Sequence, residues 1–151
     1  MQRKCRILLF ISLFGALFFF GCAPKSFVRS SPDWKVIELR DSLRDDCDKA
    51  WQTTVDTVAR SWDIEMMDRD SGYLRTAWAY GISGGECNRY RGRLTIRYLE
   101  GQECEKLEVK TEAQWLEDEA YGNWVSGLDI AFDRDVYGAL SGRLGRTIYK
   151  K

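Results

Sequence analysis

The sequence predicts an α+β domain: a four-stranded antiparallel sheet with two helices on one face, in the order helix, four strands, helix. Three observations predict it. Apolar residues recur at helical spacing over residues 47–62 and again over 132–144. Between those stretches the apolar period falls to two in four successive segments. The links between these segments are short and rich in Gly, Asp, Glu or Ser, which forces neighbouring strands to run antiparallel.

Trp34–Leu39 leaves room for an extra N-terminal strand. Asp45 and Asp46 are candidate helix N-caps. Cys47, Trp51, Val55, Val58 and Trp62 then form one apolar stripe, with Lys49, Gln52, Asp56 and Arg60 on other faces. Ile64 and Met66 open the first strand. Asp68–Arg69–Asp70–Ser71–Gly72 is a turn, with Gly72 free to take positive φ. Leu74, Thr76, Trp78 and Tyr80 define one face of the second strand, which puts Trp78 in the core between sheet and helices, and residues 81–88 are a loop.

Gly92, Leu94, Ile96 and Tyr98 line one face of the third strand, and Arg91, Arg93 and Arg97 point the other way. In the fourth, Leu107, Val109, Thr111, Ala113 and Trp115 face the core, with Glu108, Lys110, Glu112 and Gln114 opposite. Residues 117–123 read as a polar loop. The last helix places Phe132, Val136, Leu140 and Leu144 on one stripe. Gly142–Arg143–Leu144–Gly145–Arg146–Thr147 reads as its C-terminus, where cations suit the helix dipole.

The N-terminus carries its own signal. Met1 to Arg6 is basic, Ile7 to Phe20 is almost wholly apolar, and Gly21–Cys22 closes the run before a polar stretch. That is the architecture of a secretory leader. The run falls short of the about 20 apolar residues that a membrane-spanning helix needs. Its Gly-Cys end resembles the lipobox of bacterial lipoproteins. By that resemblance residues 1–21 are a signal peptide cleaved between Gly21 and Cys22, and Cys22 is acylated. Residues 22–33 are then a lipidated tether and residues 34–151 a single α+β domain. Ala23 after the Cys implies the periplasmic face of the outer membrane.

Composition narrows the function. There is no histidine, which removes Ser-His-Asp and Cys-His catalysis and His-ligated zinc. Loss of Arg3, Lys4 and Arg6 with the leader lowers the 23 basic residues by three against 23 acidic ones. A weakly acidic chain argues against nucleic acid as a partner. Cys47, Cys87 and Cys104 form no CxxC pair, so no metal ribbon is expected. In the predicted topology Cys87 lies about 30 Å from Cys104, at the far end of a strand. A bridge needs Cα atoms within about 7 Å. Any intrachain disulfide is therefore Cys47–Cys104.

Arg91, Arg93 and Arg97 are the candidate partner-binding row, against cross-strand pairing with Glu108 and Glu112 as the simpler reading. Trp34, Trp115, Tyr121 and Trp124 are candidates for an aromatic surface, and Trp124, in a Gly-rich loop over residues 121–127, is the best exposed of them. The acidic residues Glu117, Asp118, Glu119, Asp129, Asp133 and Asp135 offer carboxylates for glycan hydrolysis, although Asp133 and Asp135 also suit a helix start.

From Asp48–Lys49–Ala50–Trp51 to Asp68–Arg69–Asp70–Ser71–Gly72–Tyr73–Leu74, the chain resembles the helix-grip domain family of the BamC (NlpB) lipoproteins. An Ala-Trp helix there leads to a strand, an Asp-x-x-Ser-Gly turn and a second strand. The resemblance implies a helix-grip-like fold and a place in the outer-membrane β-barrel assembly machinery. The expectation is thus a non-enzymatic accessory or scaffold lipoprotein, with no cofactor and no metal. It would meet the bilayer through acylated Cys22 and an envelope protein through its folded domain. The alternative is an envelope glycan hydrolase.

Overall fold

The structure is a computed structural model that describes residues 25–84, 89–99, 104–118 and 122–148. Gly21, Cys22, Cys87 and Tyr121 lie outside the described residues. The expected four-stranded sheet with two helices is wrong. Among the described residues there are nine strands and three helices.

The strands are β1 (Phe27–Val28), β2 (Lys35–Leu39), β3 (Ile64–Asp68), β4 (Tyr73–Thr76), β5 (Ala79–Tyr80), β6 (Tyr90–Tyr98), β7 (Lys106–Asp118), β8 (Asn123–Asp129) and β9 (Gly145–Ile148). The helices are α1 (Asp41–Arg44), α2 (Cys47–Ala59) and α3 (Ile130–Leu144). All pairing is antiparallel.

The long strands β6 and β7 form the spine, paired from Tyr90↔Trp115 to Tyr98↔Leu107. Each spine strand carries two shorter strands end to end along its outer edge. Along β6 lie β4 and then β5. Along β7 lie β2 and then β8. Outside these rows sit β3 on β4, β9 on β2 and β1 on β8.

The strand count failed where strands are short or glycine-rich. β1 falls in the stretch read as tether, β8 in the stretch read as loop, and β9 in the expected helix C-terminus. Two to four residues cannot show a period, so β1 and β9 exist through their pairing. Gly127 shows what that pairing requires. A Cβ there would stand 2.4 Å from the Val28 carbonyl oxygen and 2.6 Å from the Phe27 ring, so only glycine lets β1 close on β8.

The inner face matches the expected phase in the spine. Leu94, Ile96, Leu107, Val109 and Ala113 are buried, and they join Ile37, Leu39 and Leu74 from neighbouring strands. Ala50 and Val58 of α2 complete the cluster with Phe132, Val136, Leu140 and Leu144 of α3. In α2 the buried set is Ala50, Thr54, Thr57 and Val58, with Trp51 and Val55 only half-buried. The stripe is thus rotated from the expected one. The buried threonines are satisfied: Thr54 Oγ1 shares a 2.9 Å hydrogen bond with the Tyr98 hydroxyl and donates to the Ala50 carbonyl. Asp46 caps α2, its carboxylate accepting from the Lys49 amide at 3.0 Å. Gly72 has φ of 61° in the turn between β3 and β4. None of the described helices is long and apolar enough to cross a membrane.

Candidate functional site

Alternation in β6 and β7 sends one side chain in two to the face opposite the helices. Register then decides which groups meet there. Arg93 lies opposite Glu112 and Arg97 opposite Glu108. Both pairs close: Arg93 Nε to Glu112 Oε2 is 3.0 Å, and Arg97 Nη2 to Glu108 Oε2 is 2.7 Å. On β3 and β4 the Arg75–Glu65 pair, at 3.0 Å, repeats the pattern. Glu108 is buried and the Arg93–Glu112 pair is partly buried, whereas Arg75–Glu65 is more exposed, a kind of pair that contributes roughly 0.2–1 kcal/mol.

Indoles lie across this charged layer. Trp34 sits 4.2 Å from the Arg97 guanidinium and 5.1 Å from Lys110 Nζ. Trp78 lies 4.6 Å from Arg91 and 4.3 Å from Arg93. Trp124 lies 3.8 Å from Arg91 and meets the Tyr80 ring edge-on at 6.3 Å. Each cation–indole contact adds about 0.5–1 kcal/mol at an exposed position. The three indoles are half-buried, and Tyr80 is 53% exposed.

Trp78 was expected in the core, in phase with Leu74 and Thr76. The strand breaks between β4 and β5: Arg75 pairs with Thr95 but Ala79 pairs with Gly92, so four steps on this side meet three on β6. The break shifts the phase by one residue and turns Trp78 to the arginine face, as a bulge does. Trp34 was a candidate for an aromatic surface, whereas Trp78 and Tyr80 are the contributors that the sequence reading missed. Trp34 precedes β2 on the same parity as Val36 and Glu38, opposite to the buried Ile37 and Leu39.

The arginines are not equivalent. At the cross-strand position where Arg93 and Arg97 find glutamates, Arg91 finds Gln114. Its Nε and Nη2 donate to Gln114 Oε1 at 3.0 and 2.7 Å, and its Nη1 donates to the Tyr80 hydroxyl at 3.2 Å. Gln114 Nε2 in turn donates to Ser126 Oγ at 3.2 Å. Tyr80, Arg91, Gln114 and Ser126 are thus one in-register row across β5, β6, β7 and β8.

The carboxylates considered for hydrolysis are placed differently. Asp129, 1% exposed, caps α3 by accepting from the Phe132 amide at 2.7 Å. It also accepts from Ser26 Oγ at 2.7 Å, Ser83 Oγ at 2.6 Å and the Tyr90 hydroxyl. Burial raises its pKa, but these four donors outweigh burial and hold it below the ordinary carboxylate value. Tyr90 is pushed up, by burial first and then by Asp129. Asp133 pairs with Lys35 and accepts from Thr111 Oγ1 at 2.5 Å. Asp135 is exposed beside Arg134. Glu117, also exposed, pairs with Arg29. Asp129 and Asp133 are therefore committed to joining β1, β2 and the 3-10 turn at residues 82–84 to the α3 end of the sheet. Among the described residues no group of three or more Cys, Asp or Glu is gathered as a metal would require.

Cys47 and Cys104 are joined by a disulfide with Cα atoms 5.4 Å apart. It ties the start of α2 to the segment entering β7. Beside it is a groove of about 530 Å³ lined by Trp51, Arg69, Gly72 and Tyr98.

No protein-family model matches the chain, and no curated protein sequence matches it.

Proposed function

We propose that this protein is a lipid-anchored accessory module of the bacterial envelope. Cys22 carries the anchor, and the outer sheet face, centred on Arg91, Arg93, Arg97 and Trp124, engages an envelope protein. The leader and its Gly21–Cys22 end support the anchor. The observation that carries the binding role is the layer of three indoles spread over the arginine row. Aromatic and arginine side chains are the types that dominate protein–protein contacts. Here they sit on a face that no helix covers among the described residues. Accessory work in envelope or outer-membrane protein assembly is the role we carry forward for it.

Two measurements test the reading. Labelled palmitate should enter the wild-type chain and not Cys22→Ser, and an unlabelled wild type would end the lipoprotein proposal. Crosslinking in the native envelope should capture a protein that Trp124→Ala and Arg93→Glu capture poorly. Capture undiminished in both variants would move the interface off this face.

A further inference from the structure

We propose that Arg91 is the binding site for a carboxylate of an acidic peptide segment, the chemical signature of the partner; this rests on the proposed role of the outer face. The argument begins with the repeated register. Arg93 and Arg97 each meet a glutamate across the β6–β7 ladder. Arg91 occupies the same kind of position and meets a neutral amide. Among the described residues, no carboxylate pairs with it. Its three hydrogen bonds, two to Gln114 and one to Tyr80, use three of the five N–H groups a guanidinium carries. The two left over are one on each terminal nitrogen. A carboxylate accepts two such N–H groups side by side.

The surroundings hold the guanidinium ready for that contact. Trp124 at 3.8 Å and Trp78 at 4.6 Å flank it. Gln114, itself braced by Ser126, fixes one edge, and the exposed Tyr80 hydroxyl stands at another. Little side-chain freedom remains to be lost on binding. The indoles also favour a peptide over a sugar acid. A sugar ring would take an indole face as its platform, and both indoles already lie against guanidinium groups. The free contact is the charged edge, which a Glu or Asp side chain can reach from an extended backbone.

The test titrates the full chain in detergent at low salt with poly-L-glutamate, read by tryptophan fluorescence. Gln114→Glu places in the chain the carboxylate that Arg91 lacks. It should weaken binding roughly tenfold or more, the scale of one charged hydrogen bond, without lowering the melting temperature. Arg91→Gln should weaken it as much. Arg134→Gln removes a cation from the exposed side of α3 and should leave binding unchanged. The proposal is overturned if Gln114→Glu binds like wild type, if Arg134→Gln weakens binding equally, or if polygalacturonate binds as tightly as poly-L-glutamate. Capture in the envelope separates this claim from the one beneath it. Capture lost in Trp124→Ala but kept in Gln114→Glu keeps the interface and overturns the carboxylate site. Capture kept in both overturns the two together.

Discussion

The Trp124 ring centroid stands 3.8 Å from the guanidinium carbon of Arg91, and the two residues come from different strands, β8 and β6. The contact spans β7, which lies between them, so it reports on the whole outer face. Trp124 is half-buried and outside the core cluster. Removing its indole in Trp124→Ala should cost about 1 kcal/mol of stability, a minor share of the about 5–15 kcal/mol typical of a domain. Denaturant melting checks it. A loss of several kcal/mol would mean that the outer layer is a second core and not a presented surface.

The Cys47–Cys104 bridge closes a separation of 57 residues. Constraint of the unfolded chain over a loop of that length is worth about 4 kcal/mol in the chain-entropy treatment. A reducing agent should therefore shift the denaturation midpoint strongly downward, and Cys47→Ser with Cys104→Ser should reproduce the shift. Non-reducing peptide mapping should recover the two cysteines in one linked fragment. A midpoint insensitive to reductant would argue that the bridge does not form in the mature protein.

The spine was legible because β6 and β7 obey one strict rule. One face is apolar and the other charged, so Leu94, Ile96, Leu107 and Val109 alternate with Arg93, Arg97, Glu108 and Lys110. The α3 stripe was legible for the same reason at helical spacing. What the sequence hid is set by distant partners. β8 looks like a loop because Gly127 must admit the Val28 backbone. β9 looks like a helix end because Gly145 passes against β2, where a Cβ would meet the Glu38 carbonyl oxygen at 1.8 Å. The phase of Trp78 depends on one extra residue between β4 and β5 relative to β6. The arginine row and Trp124 could be read from local pattern. The difference between Arg91 and its neighbours could not, because it lies in the register that sets Gln114, and not Glu112, opposite.

Asp129 links acid sensitivity to the fold. Its carboxyl is held below the ordinary value of 3.8 in the folded chain. The folded state thus binds this proton less readily than the unfolded state. The stabilisation is fully present above about pH 4 and is lost as pH falls through the depressed folded value. Asp129→Ala removes the α3 cap and the shared acceptor for Ser26, Ser83 and Tyr90. It should cost about 3 kcal/mol at neutral pH, from a lost cap and stranded buried donors. Asp129→Asn keeps the shape and cannot ionise, so its stability should fall less steeply below pH 4 than that of wild type. Equal acid slopes in wild type and Asp129→Asn would assign the acid limb to other carboxylates.

Leu94 and Trp78 separate the two faces most directly. Leu94 is fully buried on the inner face of β6, whereas Trp78 lies over Arg91 and Arg93 on the outer face. Leu94→Ala leaves a cavity in the cluster shared by sheet and helices and should cost about 2–5 kcal/mol. Trp78→Ala removes a larger side chain, yet it leaves no cavity in that cluster. Its cost is the loss of two cation–indole contacts and some covered strand surface, about 1–2 kcal/mol. The larger truncation should therefore be the milder one, which reverses the order that side-chain size alone would give. Urea unfolding of the two variants beside wild type measures it. A Trp78→Ala variant less stable than Leu94→Ala would return the indole to the core phase, and would require β4 and β5 to be one continuous strand.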